Sequence, residues 1–338
     1  MTATLDLVAA LDHSLRYDAE YGQRLSNHLP MLLVALHRLG ASDDRLAAAS
    51  TSYAHKLQAM PPPQAWQAGD PWREPLGQPA AWPRYRDLFA TWLQEEGAGE
   101  TLRQALPALL PGCGAAAFHG LIRTAYAVDA AHRAELAHAL AYWASRWLDL
   151  GVDDPSGGDQ TAGGTGRQGD PAPLLKVAAA VPGVAASPSG TIVERMHHAA
   201  WQPGFAQAVS PLRLDENTLP RLARQAAQLY ARSGDFSVLH LVTSAWALRV
   251  LLPFVDDLQP ALAGYWRAYA AAAASVSGRL EITRAPAPLP WPQIIQTALA
   301  SDDEHLVKLV HACQQEQQAY NDADDWQRAA TRAVLSAA

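Results

Sequence analysis

Four histidines stand in helical, largely apolar sequence, where an imidazole is either bonded to a neighbour or turned into a cavity. His240 lies within 236–252, a segment apolar nearly all round, and Thr243 and Ser244 share its face at i+3 and i+4. Such a buried polar patch has to be partnered, because an unsatisfied group costs about 1–3 kcal/mol. His119 follows Ala115-Ala116-Ala117 and shares a helix face with Ile122, Arg123 and Tyr126. His28 comes directly after Ser26 and Asn27, and His305 follows Ser301-Asp302-Asp303-Glu304, with Lys308 one turn further on. A helix start disfavours imidazolium and attracts anions, which suits a neutral histidine acting as a base; the acidic run 302–304 opposes that effect at His305. The chemistry within reach is proton abstraction and stabilisation of a developing anion. Taken singly, each histidine reads as structural.

Other motifs carry less. Two E-x-x-H pairs, Glu135 with His138 and Glu194 with His197, put a carboxylate and an imidazole on one helix face, the spacing that di-metal carboxylate bundles use. The further glutamates of such a centre cannot be nominated, so it stands only as an alternative to a metal-free site. Gly164-Thr165-Gly166-Arg167-Gln168-Gly169 spells G-x-G-x-x-G, but no strand delivers it, and it predicts no nucleotide site. No Walker A sequence, G-x-S-x-G elbow or flavin fingerprint is present. Trp143 and Trp147 share a helix face and read as packing or, more sharply, as walls of a cleft for a planar ligand.

Apolar residues recur at three and four, which predicts an all-α fold: an irregular multi-helix bundle or array without a β-sheet domain. Helices are expected near 3–18, 29–39, 42–57, 82–96, 114–129, 131–149, 190–202, 215–231, 236–252, 256–275 and 322–336. Ser301-Asp302-Asp303-Glu304 reads as a capping box opening another along Leu306, Leu309, Val310 and Cys313. Residues 151–172, rich in Gly, Asp and Pro, read as a loop or linker between an N-terminal helical half (1–150) and a C-terminal one (173–338). Residues 61–83 are irregular, with Trp66, Trp72 and Trp82 expected to pack onto the body.

The 338 residues are 49% hydrophobic and 17% charged, with a net charge of −7, which leaves a nucleic-acid partner no electrostatic footprint. No run of 18 apolar residues predicts a membrane span, and the acidic first dozen residues do not read as a secretory signal, so a cytoplasmic location is expected. The only two cysteines, Cys113 and Cys313, are expected to be reduced and buried. Lysine chemistry has three candidates, Lys56, Lys176 and Lys308.

The histidine segments resemble the questin oxidase-like family, which includes fungal Baeyer–Villiger-type oxygenases of anthraquinone metabolism. The matching stretches are YGQRLSNHLPMLLVALHRLGAS, AAAFHGLIRTAYAVDAAHRAELAHALAYWA, DFSVLHLVTSAWALRVLLP and DDEHLVKLVHACQQEQQAY, spread over residues 21–320. The resemblance implies an all-helical monooxygenase or oxidase that acts with dioxygen on an aromatic polyketide-like ketone and uses NADPH. It maps the family's histidines onto His28 with Asn27, His119, His240 and His305. The chain departs from the family at Met31, Leu32 and Arg123, where further histidines stand in the fungal pattern. On this reading His119 and His240 are the base and its orienting partner. His28, His305 and Lys308 supply protons or stabilise the anion, and Asn27, Arg123, Tyr126 and Thr243 contact the substrate. A deprotonated substrate would react with dioxygen without a metal. The rivals are a helical binding protein for a flat hydrophobic ligand, which consumes no oxygen, and the di-metal carboxylate oxygenase.

Overall fold

The computed structural model describes residues 6–22, 24–151, 170–185, 190–321 and 324–337. The chain is all-α, 68% helical; the described residues hold one two-stranded antiparallel sheet, β1 (Glu20–Tyr21) with β2 (Leu25–Ser26), and an isolated bridge between Tyr17 and Ala59. The helices before residue 151 are α1 (Leu7–Ser14), α2 (Leu29–Arg38), α3 (Asp43–Ala54), α4 (Trp82–Glu95), α5 (Gly97–Leu109), α6 (His119–Asp129) and α7 (Arg133–Arg146). After it come α8 (Pro171–Ala180), α9 (Ile192–Ala200), α10 (Phe205–Val209), α11 (Thr218–Ser233), α12 (Phe236–Leu251), α13 (Leu258–Val276), α14 (Trp291–Ala300), α15 (Glu304–Tyr320) and α16 (Asp325–Ala337).

Four of these make the centre. α2 packs on α6, α6 on α12, α12 on α15 and α15 back on α2, closing a ring. Sequence dictates their place: α2 is buried without a break from Leu29 to Leu36, and α12 from Ser237 to Leu248. A helix apolar on every side has nowhere to go but inside. The segment Phe236–Phe254 is long and apolar enough to cross a membrane, and 72% of its apolar window is buried within the protein, the position of a core helix. Around the ring, α7 lies against α6 and α4, α13 covers α12 with α9 behind it, and α11 and α16 pack on each other and on α12 and α15 respectively.

The elements missing from the sequence reading are α5, α8, α10 and α14. α5 carries Gly97, Gly99 and Pro107, and α8 and α14 open on Pro171 and Trp291-Pro292, so helix-breaking residues mask their periodicity. The helix predicted over 114–129 begins only at His119, because Ala116, Ala117 and Phe118 take left-handed backbone angles. The capping box at 301–304 does not form. Asp303 is the N-cap of α15, accepting from the His305 amide at 2.9 Å, which releases Glu304 from backbone duty. The irregular 61–83 stretch packs as expected, with Trp66 stacked on Tyr85 at 5.3 Å and Trp72 edge-on to Phe89 and Trp92. Residues 152–169, including the G-x-G-x-x-G, lie outside the described residues.

α6 and α7 are joined by two close fits. A Cβ at Gly120 would fall 2.8 Å from Trp143 backbone and side-chain atoms, so only glycine lets the helices approach this closely. Trp143 and Trp147 act as packing: their indoles donate to the carbonyls of Gly112 and Ala108. Beside them the Arg123 guanidinium grips Glu135 at 2.5 and 2.9 Å, both side chains 1% exposed. A pair desolvated this fully gains little net stability, whereas losing one partner strands a charge at a cost of about 3–5 kcal/mol. Arg123→Met is therefore expected to destabilise by about that amount, and Arg123→Met with Glu135→Leu to recover most of it, as read by urea unfolding. Equal losses in the single and double variants would contradict this account of the clasp.

Candidate active site

All four ring helices begin at the same end of the bundle, and each brings one histidine there. Asn27 opens α2: its Oδ1 accepts from the Leu29 amide at 3.0 Å and its Nδ2 donates to the Asp18 carbonyl at 2.9 Å, leaving the His28 side chain free of capping. His119 is the first residue of α6. His240 sits one turn into α12, whose N-cap Asp235 accepts from Ser237 and Val238 at 2.8 and 3.1 Å. His305 is the second residue of α15. The rings meet. His28 stacks on His119 at 4.5 Å and stands edge-on to His305 at 4.6 Å, and His240 lies 5.0 Å from His119 and 5.9 Å from His305 between centroids.

The hydrogen bonds fix how two of the rings present themselves. His119 Nδ1 faces the Ala116 carbonyl at 2.5 Å and His240 Nδ1 the Phe236 carbonyl at 2.8 Å. A carbonyl only accepts, so both rings carry their proton on Nδ1 and offer Nε2 as a lone pair. Three buried ring nitrogens of the cluster, His28 Nδ1, His119 Nε2 and His305 Nε2, have no hydrogen-bond partner. Burial, then the mutual repulsion of neighbouring cationic groups, lowers the proton affinity of His28 and His119 far below the ordinary imidazole value and pushes His240 down to about 3. His305, with 17% of its side chain exposed, is lowered too, mainly by burial and against the pull of Asp303. The cluster is a set of neutral imidazoles.

Lys308 is 2% exposed, and burial lowers its ammonium to about 8 against the opposing attraction of Glu304 and Asp303. Its charge acts on all four rings. Glu304 lies between two of the rings, with Oε1 3.4 Å from His28 Nδ1 and 3.9 Å from His305 Nδ1. The first of these is within reach of an ion pair but is not aligned as a hydrogen bond. Tyr53 donates to Glu304 at 3.4 Å, and half-exposed Lys56 lies 4.0 Å from its other oxygen. Phe236, 53% exposed, stands edge-on to His240 at 5.0 Å and to His305 at 4.7 Å, so the cluster reaches the surface beneath an aromatic ring.

The structure thus brings together His28, His119, His240, His305 and Lys308, with Asn27 as a backbone brace. It directs Arg123, Tyr126 and Thr243 to other partners: Arg123 to Glu135, the Tyr126 hydroxyl to His311 Nδ1 at 3.1 Å, and Thr243 to the carbonyls of its own preceding turn. Sharing a face with His119 in sequence did not mean sharing its direction. The E-x-x-H carboxylates are spent as well, Glu135 on Arg123 and Glu194 on the capping box of α9 with Thr191. Sequence reasoning missed Glu304, Tyr53 and Phe236. An aromatic residue one turn before a buried histidine was the available sign of Phe236; nothing local marks Tyr53, which arrives from α3.

Among the described residues, His28, His119 and His305 form a group able to hold a metal ion, with one ligand atom from each lying within 4.8 Å of the others. Asp303, Glu304 and His305 form a second group sharing His305, with Asp303 exposed. Three neutral imidazoles are a set that borderline divalent ions take.

The chain is an all-helical body with a buried histidine cluster beneath a half-exposed phenylalanine ring. The model of the questin oxidase-like family matches residues 25–313, and the chain belongs to that family, an assignment that supports an oxidoreductase. No curated protein matches the chain.

The neutral histidines make stability depend on pH. Each has a folded proton affinity below that of the unfolded chain, so its contribution is present above pH 6.5 and is lost as pH falls below it, at about 1.4 kcal/mol per unit for each group still neutral in the fold. Buried Glu316, raised to about 7, works in the opposite sense between 4.5 and 7, but it is one group against several. The urea midpoint is expected to be lower at pH 5.5 than at pH 7.5; an unchanged or higher midpoint would show that the cluster is solvated.

Proposed function

We propose that this chain is an oxidoreductase that holds a redox-active divalent metal ion on His28, His119 and His305, with His240 beside them. There it oxygenates a flat, hydroxylated aromatic ketone in a Baeyer–Villiger sense. The observation that supports this reading is the approach of three ligand nitrogens to within 4.8 Å of one another in a buried site where ring nitrogens lack partners. It departs from the metal-free base drawn from the sequence for a physical reason. A general base needs proton affinity, and burial has taken that from these rings; a metal ligand needs a neutral ring with a free lone pair, which the same burial provides. Of the metals that imidazole sets favour, iron and copper are the redox-active ones. When bound, such an ion supplies Lewis acidity and one-electron chemistry toward dioxygen.

The protein's own groups do the rest. Four helix starts aimed at one point give a positive potential that favours a phenolate or another developing anion there. Lys308 carries a proton that burial makes easier to release, close to the same point. Glu304, held by Tyr53, places a carboxyl group beside His28 and His305. The half-exposed face of Phe236 offers a flat substrate a stacking surface at the mouth of the pocket. Inserting one atom of dioxygen leaves the other to become water, which takes two electrons and two protons; NADPH, implied by the family, supplies the electrons as a diffusible reductant.

The test is oxygen uptake with a hydroxylated anthraquinone and NADPH, before and after loading with Fe(II). Uptake is expected only in the loaded protein and is expected to be lost in His119→Ala and His305→Ala. Phe236→Ala is expected to raise KM by up to roughly tenfold with kcat retained, the scale of one lost aromatic contact. A ligand absorbance shift without oxygen consumption would mean that the pocket binds and does not react. Uptake that is indifferent to metal would restore the metal-free mechanism.

A further inference from the structure

The backbone immediately before His119 is strained in a way that the site explains. Ala116, Ala117 and Phe118 have φ of 47°, 57° and 68°, three successive residues in the left-handed region that side chains avoid. Elsewhere among the described residues the chain gives positive φ to nine glycines and, singly, to Arg24, Ala131 and Asn321; here three side chains take it in succession. Glycine would relieve the strain but would also loosen the turn.

The surroundings hold the turn in place. Ala115 and Phe118 are fully buried, and Phe118 packs against Tyr265 with ring centroids 6.2 Å apart. A Cβ at Gly112, just upstream, would lie 2.3 Å from the indole of Trp147, the residue that closes α7, so the backbone there abuts that ring. Within the turn the Ala117 amide donates to the Gly114 carbonyl at 3.0 Å. The reversal turns the Ala116 carbonyl back onto the next helix start, where it accepts from both the His119 amide, at 3.3 Å, and His119 Nδ1, at 2.5 Å. Strain that the packing over-determines, ending at a reactive side chain, is the pattern expected of pre-organisation.

We propose that Ala116, Ala117 and Phe118 are positioning residues, a left-handed turn that fixes His119 as its Nδ1–H tautomer and aims Nε2 at His28 and His305. The inference deepens the metal reading but rests on it only for the affinity measurement below. It also accounts for the run Gly112-Cys113-Gly114-Ala115-Ala116-Ala117-Phe118-His119-Gly120: small residues clear the way for the tryptophans, and alanines in place of glycines keep the turn stiff.

The experiment compares wild type with Ala117→Gly and with Ala116→Gly/Ala117→Gly, whose backbones adopt the turn without strain. Thermal unfolding reads stability, Co(II) titration reads affinity, and long-range 1H–15N correlation at pH 7.5 without metal reads the His119 tautomer. The expected result is an unchanged or raised Tm, about tenfold weaker Co(II) binding, and a shift of His119 from pure Nδ1–H to a tautomer mixture, larger in the double variant. A pure Nδ1–H signal and wild-type affinity in both variants, whatever their Tm, would overturn the proposal and leave the turn merely structural. If wild type itself takes up no Co(II), the metal reading fails, and the tautomer measurement alone decides the positioning role.

Discussion

The structure depends on one constraint: the amino-terminal ends of α2, α6, α12 and α15 are brought to a single buried point, and each has to bury an imidazole there. Helix ends carry unsatisfied amides and a partial positive charge, so gathering four of them is unfavourable unless something neutral or negative sits between. Asn27, Asp235 and Asp303 meet part of that demand as local acceptors, and Glu304 adds a charge beside the rings. Neutral histidines meet the rest, because a protonated one would add to the repulsion. The low proton affinity of these rings therefore follows from the topology.

The remaining buried polar groups show how the chain keeps that centre affordable to the fold. Arg123 with Glu135, and Arg249 with Glu316, are ion pairs outside the cluster, with Arg123 Nη1 and Glu316 Oε2 left without partners. The centre differs in gathering unpartnered nitrogens of three histidines, His28, His119 and His305, whereas His13 Nδ1 and His138 Nδ1 lack partners outside that group. Unpartnered nitrogens of three histidines gathered at the meeting point of four helices mark that point as the candidate ligand site.

The fold was legible because the unbroken apolar runs of α2 and α12 and the spaced apolar stripe of α15 are local properties. The four histidines were legible for a related reason: each interrupts an apolar face or sits beside an Asn or Asp at a helix start. What could not be read was direction. Arg123 and Tyr126 share the helix face of His119 in a linear reading, but the left-handed turn shortens that helix and fixes the imidazole separately, while Glu135 and His311 draw the other two away. Glu304 was hidden by its own motif, since a capping box assigns it to the backbone whereas Asp303 takes the cap. Tyr53 belongs to the site only through tertiary packing, and the effect of four converging imidazoles on one another's basicity is not visible until the helices are assembled.

The most direct test of the central claim, that these distant imidazoles form one ligand set, is X-ray absorption at the zinc edge of protein loaded with Zn(II) as a redox-silent stand-in. The account expects stoichiometric uptake and three or four nitrogen scatterers at about 2.0–2.1 Å with the multiple-scattering signature of imidazole. A first shell of oxygen alone, or no retained zinc, would contradict it.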